Sequence, residues 1–207
     1  AGATVWRVGF NAGDAAMWRP AASLLPWRDG PDAWSEGCGA LMTARGITDL
    51  VLYGDSRPVH AQAIGIARRL GIAVHVFEEG YLRPWWATYE RDGANGNSPL
   101  MSLGTDAMAA ALDTAGWPFP PPARPPSRWG EMRRHMAWGA LYHAALVAGR
   151  RRFPAYRPHR DLSPERELLL HLRRLALTPV AAALRARATR RLVASARPYH
   201  VLLLQLA

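Results

Sequence analysis

The sequence predicts an α/β fold in which a parallel, Rossmann-like sheet is followed by a helical, arginine-rich segment. Two apolar runs, 47–54 and 72–79, flank a stretch with helical spacing at 56–71. Near-continuous apolar strands that alternate with helices are typical of a parallel sheet covered by helices on both faces. Beyond a proline-rich stretch at 117–128 the pattern becomes helical almost to the end of the chain, which predicts a second, all-helical region.

The elements of the first half follow from strand and helix signals. TVWRVGF (4–10) is the first predicted strand, and the two apolar runs are the second and third. The helix between those runs is predicted to begin with Ser56 as its N-cap, with Pro58 in the first turn, and to stop at Gly71. These signals predict a Rossmann-like α/β domain over residues 1–116.

The second half is predicted to contain a proline-rich linker, 117–130, and a basic helical segment, 131–198. Proline fixes φ and lacks an amide donor, so neither a helix nor a central strand is expected in the linker. Three helices are predicted in the basic segment, over 131–149, 163–177 and 180–197. The final residues, 199–207, resemble the first strand of a second domain, so the chain is expected to be an N-terminal fragment.

Charge is divided unevenly along the chain. Residues 1–120 hold 9 Arg against 12 acidic residues, a net of −3, whereas residues 121–207 hold 17 Arg against 4 acidic residues, a net of +13. This asymmetry predicts an anionic partner near the second half, such as phosphate, nucleic acid or an anionic membrane surface. No run of 18 apolar residues occurs, so a membrane-spanning helix is not expected.

Cys38 is the single cysteine of the chain. One thiol cannot form an internal disulfide, which fits a reducing, cytoplasmic compartment. The surrounding SEGCGALM favours a small residue near a turn over a catalytic thiol, because free cysteines are mostly buried.

Polar residues follow all three predicted strands. The carboxyl ends of parallel strands meet at one edge of the sheet, where ligands bind in α/β proteins. Each segment alone could be a solvated turn, but together they predict a ligand site, without the glycine pattern of a dinucleotide or Walker A loop. The candidates are Asn11, Gly13 and Asp14 after the first strand, Asp55 and Arg57 after the second, and Glu78, Glu79, Tyr81 and Arg83 at the third.

Three further features are candidates for binding. His60 has no partner at metal-ligand spacing, so no metal is predicted there, and the side chain is a candidate hydrogen-bond donor to a substrate. Asn95 and Asn97 lie in the polar loop GANGNS, which either closes over a ligand or is a plain turn. The helix over 131–149 is predicted as a core helix, with an interfacial helix that places Trp138 and Tyr142 at the lipid headgroups as the alternative.

Four segments together resemble the capsule polysaccharide biosynthesis and export family: FNAGD (10–14), YGDSRPVHAQA (53–63), FEEGYLRPWWATYERDGANGNS (77–98) and YHVLLLQ (199–205). More narrowly, they are similar to its single-module β-Kdo transferase branch. The resemblance implies a two-domain, GT-B-like glycosyltransferase of which this chain is the N-terminal half.

The resemblance also implies a reaction and its partners. The expected reaction is retaining transfer of β-Kdo from CMP-Kdo, the donor substrate, to a lysophospholipid acceptor, with no cofactor and no metal. The enzyme would be cytoplasmic and peripheral on the bacterial inner membrane, with the anionic membrane surface and the capsule export machinery as partners.

Roles for the candidate residues follow from that reaction. A retaining transfer needs a group that stabilises or traps an oxocarbenium-like centre and an acid/base group for the acceptor hydroxyl. Glu79 is the predicted catalytic carboxylate, with Glu78 on the opposite strand face as an anchor and Asp55 as the next candidate. Arg57, Arg83 and His60 would bind the Kdo carboxylate or a phosphate; the other substrate-binding candidates are Asn11, Gly13, Asp14, Tyr81, Asn95 and Asn97.

Two other functions compete with the transferase. A non-catalytic export or assembly component would bind the polysaccharide or its transporter. A nucleic-acid-binding protein would explain the arginines, but the basic helices are not interleaved with stacking aromatics and contain no known reader motif, so nucleic acid is not an expected partner.

Overall fold

The structure, a computed structural model, describes residues 2–80, 86–116, 132–158, 161–195, 198 and 200. Strands within these residues are β1 (Arg7–Gly9), β2 (Leu24–Pro26), β3 (Asp49–Tyr53), β4 (Ala73–Glu79) and β5 (Ala87–Arg91). The α-helices are α1 (Ala12–Met17), α2 (Trp34–Ala44), α3 (Pro58–Arg69), α4 (Thr105–Thr114), α5 (Met132–Gly149) and α6 (Pro164–Ala194).

The strands form two small sheets. In the first, β1 and β2 pair in parallel; in the second, the strand order is β3-β4-β5. The β3–α3–β4 unit has two parallel strands joined by a helix, which confirms the predicted α/β arrangement at that level. Strand β5 pairs with β4 in the antiparallel direction and forms an edge that the apolar pattern did not predict. The result is a mixed α/β fold with small parallel ladders.

Helix α3 shows how local sequence sets the ends of an element. Pro58 occupies the first helical position and Gly71 follows the helix, as predicted. The predicted N-cap, Ser56, is wrong by one residue, because Arg57 occupies that position with extended backbone angles. A residue that precedes proline is disfavoured in the helical region, so the helix cannot start earlier.

The core lies between α2, α3 and one face of the β3–β4 pair. Cys38 is among its most buried side chains, as predicted, but it lies within α2 and not near a turn. Burial raises the pKa of its thiol to about 11. The thiol therefore stays protonated near neutral pH. The buried apolar residues of this core are Trp34, Cys38, Met42, Ala63, Ile64, Ile66, Ala67, Ile72, Val74, Val76 and Ala94.

The opposite face of this sheet is open among the described residues. Val51 and Tyr53 on β3 are each more than half exposed. Phe77 on β4 and Tyr89 on β5 contact each other on this face, with ring centroids 4.9 Å apart and the rings tilted by 35°. The expectation of helices on both faces is therefore wrong for the described part of the chain. Side chains alternate along a strand, and α2 and α3 both pack on the face that carries Val76.

The second half is helical, as predicted, but its last two predicted helices are one. Helix α6 runs without interruption from Pro164 to Ala194, with Pro179 in its interior. Proline there removes one backbone hydrogen bond, and the alanine-, leucine- and arginine-rich residues around it favour helix strongly enough to continue. Ser163 caps the N-terminus by accepting from the Arg166 amide at 3.4 Å, as predicted.

Two predicted regions fall where the structure gives little or no description. The proline-rich linker, 117–130, and nearly all of the terminal strand, 199–207, lie outside the described residues. Among the helices that the structure describes, none combines the length and apolar character needed to cross a bilayer.

Candidate functional site

The carboxyl ends of β3 and β4 meet at Gly54. The Gly54 amide donates to the Phe77 carbonyl at 2.8 Å, which joins the two strand ends. Glu78 points to the same sheet face as Val76, and its carboxylate lies against Gly54: Oε1 would be 3.1 Å from a β-carbon added there. The first predicted carboxylate is thus packed against the end of the neighbouring strand.

Asp55 connects this edge to the GANGNS segment. Its side chain is only 6% exposed, and Oδ2 accepts from the Ala94 amide at 2.9 Å. The next residues, Asn95–Asn97, form a single 3-10 turn, and both asparagines are exposed. Asp55 therefore holds a short polar turn beside the ends of β3 and β4.

His60 approaches the same point from the first turn of α3. Its Nδ1 lies 2.7 Å from the Gly54 carbonyl oxygen, and since a carbonyl only accepts, Nδ1 carries the proton. Burial lowers the pKa of His60 below its usual value, while donation to the Gly54 carbonyl works in the opposite direction. The positive charges of Arg57 and Arg7 lower the pKa further and the Asp55 carboxylate raises it, and the net lowering favours the neutral imidazole.

The lowered pKa of His60 predicts a pH dependence of stability. In the unfolded chain His60 has the usual histidine pKa of 6.5, so it binds a proton more tightly there than in the folded chain. The contribution of the neutral His60 to the free energy of unfolding is therefore fully present above pH 6.5 and is lost as the pH falls below that value. The free energy of unfolding in urea should fall more between about pH 7 and about pH 5 for the wild type than for His60→Gln. An equal fall in both proteins would contradict the assignment.

Glu79 and Arg57 are both exposed, but Glu79 is on the sheet face opposite to the one on which α3 packs. Glu79 is the last residue of β4 and is exposed, on the opposite sheet face from the half-buried Glu78, as the strand period predicts. Arg57 is exposed at the start of α3. The other two candidates at this strand end, Tyr81 and Arg83, lie outside the described residues.

The candidates after β1 are engaged with α5. Asn11 is 4% exposed, caps α1 by accepting from the Asp14 amide at 2.8 Å, and donates from Nδ2 to the Tyr142 hydroxyl at 2.9 Å. That hydroxyl donates in turn to Asp14 Oδ1 at 3.2 Å. Gly13 leaves room for the Tyr142 ring, which would lie 2.5 Å from a β-carbon at that position. These three residues dock α1 on α5.

The structure gives Tyr142 a different role from the one in the interfacial alternative, because its hydroxyl is held by Asn11 and Asp14, while membrane contact of α5 stays a prediction. Burial, together with the negative charge of Asp14, raises the pKa of its phenol above the ordinary value. Trp138, the other aromatic residue of that prediction, is exposed. The difference arises because the docking partners of Tyr142 are more than a hundred residues away in sequence.

A cleft of about 510 Å³ opens between α5, α6 and the start of α3. Arg57 and Tyr142 belong to its lining, which connects the sheet edge to the helical half. The sequence interpretation missed the ionisable residues that line it from the two helices; the only available signal was that Glu167 and His171 are four residues apart on one predicted helix. These residues are His135, His143, Glu167 and His171.

The structure thus brings Asp55, Glu78 and His60 to Gly54 and holds the Asn95–Asn97 turn beside them. It directs the side chains of Asn11 and Asp14 towards α5 instead. Two buried or half-buried carboxylates, a neutral imidazole and an exposed glutamate at one sheet edge can supply acid/base and charge-stabilising chemistry.

Comparison with known proteins gives a consistent set of relatives. The sequence profile of a family described as capsule polysaccharide biosynthesis protein matches residues 48–207. The capsule polysaccharide modification protein LipB of Neisseria meningitidis serogroup A is 31% identical over 160 residues, which are 77% of this chain and 38% of LipB; the LipB of serogroup B gives the same values. The capsule polysaccharide export protein KpsS of Escherichia coli is 34% identical over 117 residues, 56% of this chain and 28% of KpsS.

The chain thus spans well under half the length of these curated relatives. No solved structure matches it. The matched region includes β3, α3, β4 and the helical half, and so contains Asp55, His60, Glu78 and Glu79.

Proposed function

This chain belongs to the capsule polysaccharide biosynthesis family, and from that membership we propose that it takes part in retaining transfer of β-Kdo from CMP-Kdo to a lysophospholipid. In this reaction the bond between the anomeric carbon and the CMP phosphate oxygen breaks, and CMP leaves. The acceptor hydroxyl oxygen bonds to the anomeric carbon, and its proton passes to a base. No cofactor or metal is required for this step.

The observation that supports the proposal is the group of carboxylates at the ends of β3 and β4. Glu79 is exposed at the strand end and is the proposed catalytic carboxylate. Glu78, packed against Gly54, is the proposed anchor, and Asp55 fixes the adjacent turn. Because the two glutamates point to opposite faces, one can act on substrate while the other holds the edge in place.

Recognition of the acidic sugar would come from cationic and donor groups around this edge. Arg57 is exposed and lines the cleft, so its guanidinium can form paired hydrogen bonds with a carboxylate or phosphate. The single N–H of the neutral His60 is used by the Gly54 carbonyl, so His60 would accept a hydrogen bond from a sugar hydroxyl through Nε2 and would not bind the Kdo carboxylate as was predicted. The exposed Asn95 and Asn97 follow Ala94, whose amide is held by Asp55. Arg83 and Tyr81 complete the proposed set.

We also propose where the donor nucleotide sugar and the membrane would be bound. In a GT-B-like arrangement this chain would form the first half, and the nucleotide-sugar site would be formed largely by a second half. The exposed arginines of α6, including Arg187, Arg190 and Arg191, would hold the enzyme on the anionic cytoplasmic face of the inner membrane. That surface would also carry the lysophospholipid acceptor.

The direct test is transfer by protein expressed from the longest reading frame that contains this chain. CMP-Kdo and lysophosphatidylglycerol should yield CMP and a Kdo-modified lipid in equal amounts, and omission of the lipid should prevent CMP release above slow hydrolysis. Absence of product with a panel of lysophospholipids, from folded protein, would contradict the proposal.

A second candidate is a non-catalytic export or assembly component, favoured by the name of the Escherichia coli relative as an export protein. This function predicts no CMP release with any acceptor, together with binding to capsule polysaccharide or to its transporter. The same preparation can therefore distinguish the two functions.

A further inference from the structure

We propose that His143, Glu167 and His171 form a binding site for one divalent first-row transition metal ion between α5 and α6. One candidate ligand atom from each of the three residues lies within 4.8 Å of the others. His143 is on α5, and the other two are one turn apart on the same face of α6. The site is separate from the carboxylates at the ends of β3 and β4.

The distances are close to those of a loaded site. One candidate ligand atom from each residue lies within 4.8 Å of the other two, and the two imidazole centroids are 5.1 Å apart. Ligands about 2.1 Å from a tetrahedral metal are about 3.4 Å from one another, so the three side chains would close by up to about 1.4 Å on binding. Side-chain rotations can supply a movement of this size without a change in the helices.

The hydrogen bond of His171 favours a ligand role. Its Nδ1 lies 2.9 Å from the Glu167 carbonyl oxygen, so Nδ1–H donates, and in the neutral ring Nε2 is the nitrogen that carries the lone pair for a metal. Donation of the second ring N–H to a backbone carbonyl is how metal-binding histidines are usually oriented. Nε2 is also directed towards α5, since the ring edge packs against Gly139, one helical turn before His143.

The charge of the trio is suited to a cation. Glu167 is 9% exposed, and a carboxylate taken out of water is stabilised when a cation coordinates it. Two imidazoles with one carboxylate favour Zn²⁺ and its neighbours in the first transition row over Mg²⁺ and Ca²⁺, which prefer oxygen ligands. All three residues line the cleft, so coordination positions not used by protein face that space and would hold water or an oxygen of an anionic ligand.

The test is binding of Zn²⁺ alone to the whole chain, measured by equilibrium dialysis. The wild type should bind one equivalent, and His143→Gln, Glu167→Gln and His171→Gln should each weaken binding by about 100-fold or more, because each removes a ligand. His135→Gln is the matched control, since His135 lines the same cleft but is outside the trio. This control should bind Zn²⁺ like the wild type.

Co²⁺ gives a second readout that does not depend on sugar transfer. The wild type and the His135→Gln control should show the visible absorption of a histidine-bound Co²⁺ ion and a rise in melting temperature on metal addition. Circular dichroism of the metal-free proteins identifies any variant that fails to fold. Such a variant is left out, and the Co²⁺ absorption spectrum of the wild type then shows whether histidine binds the metal. Absence of Zn²⁺ binding in the wild type, or unchanged binding in all three folded trio variants, would overturn the site.

Discussion

Glu79→Gln is expected to lower the rate of Kdo transfer by about 10³-fold, the effect of removing a positioned acid/base group. Glutamine has nearly the same volume but cannot ionise, so it can neither accept a proton nor stabilise positive charge at the anomeric carbon. Because Glu79 is exposed at the end of β4, the change should leave the melting temperature close to that of the wild type. Initial rates of CMP release measure the first effect, and thermal unfolding the second.

Glu78→Gln is the matched control, one residue away on the opposite face of the same strand. Its carboxylate packs against Gly54, so we expect a loss of stability and a transfer rate within about tenfold of the wild type. If Glu78→Gln abolishes transfer while Glu79→Gln does not, the roles of the two glutamates are reversed. If both variants keep full activity, the carboxylates of this edge are not the catalytic groups.

Gly80→Ala is expected to destabilise the folded chain by about 1–3 kcal/mol, the typical cost of forcing extra volume into a closed contact. The Gly80 amide donates to the Trp86 carbonyl at 2.8 Å, which closes the connection between β4 and β5. An added β-carbon would lie 2.5 Å from the Trp86 carbonyl carbon, and a backbone group cannot rotate away as a side chain can. Urea unfolding at neutral pH measures the change.

Gly96→Ala provides the control for this prediction. Gly96 lies in the exposed turn held by Asp55, and a β-carbon there would meet nothing within 4 Å. Its substitution should change the free energy of unfolding by less than about 0.5 kcal/mol, as for most surface changes. A Gly80→Ala protein as stable as Gly96→Ala would show that the β4–β5 connection tolerates the added group.

Local chemistry explains which parts of the fold could be predicted. The β3–α3–β4 unit was predictable because its apolar strands, and the helix boundaries at Pro58 and Gly71, depend on residues that are adjacent in the sequence. The start of α6 at Ser163 was predictable for the same reason, whereas its continuity through Pro179 was not. A proline in a sequence signals a missing hydrogen bond, but the rest of a long helix can compensate for that loss.

The proposed metal-ligand trio shows why some candidate functional residues could not be predicted from the sequence. Glu167 and His171 are visible as a pair one turn apart, a spacing that in most helices has no functional meaning. His143 joins them only because α5 packs along α6. No pattern within either helix specifies that neighbour.

By itself, the sequence determined the α/β character of the first half, the helical basic second half, the burial of Cys38 and the polar strand ends that include Asp55 and Glu79. Each depends on residue type and short-range spacing. Tertiary structure alone decided that Asn11, Gly13 and Asp14 serve the docking of Tyr142, and that Glu78 packs against Gly54. The physical reason is that hydrogen bonds and packing join residues distant in the chain, and these contacts depend on how whole elements are placed rather than on the sequence around each residue.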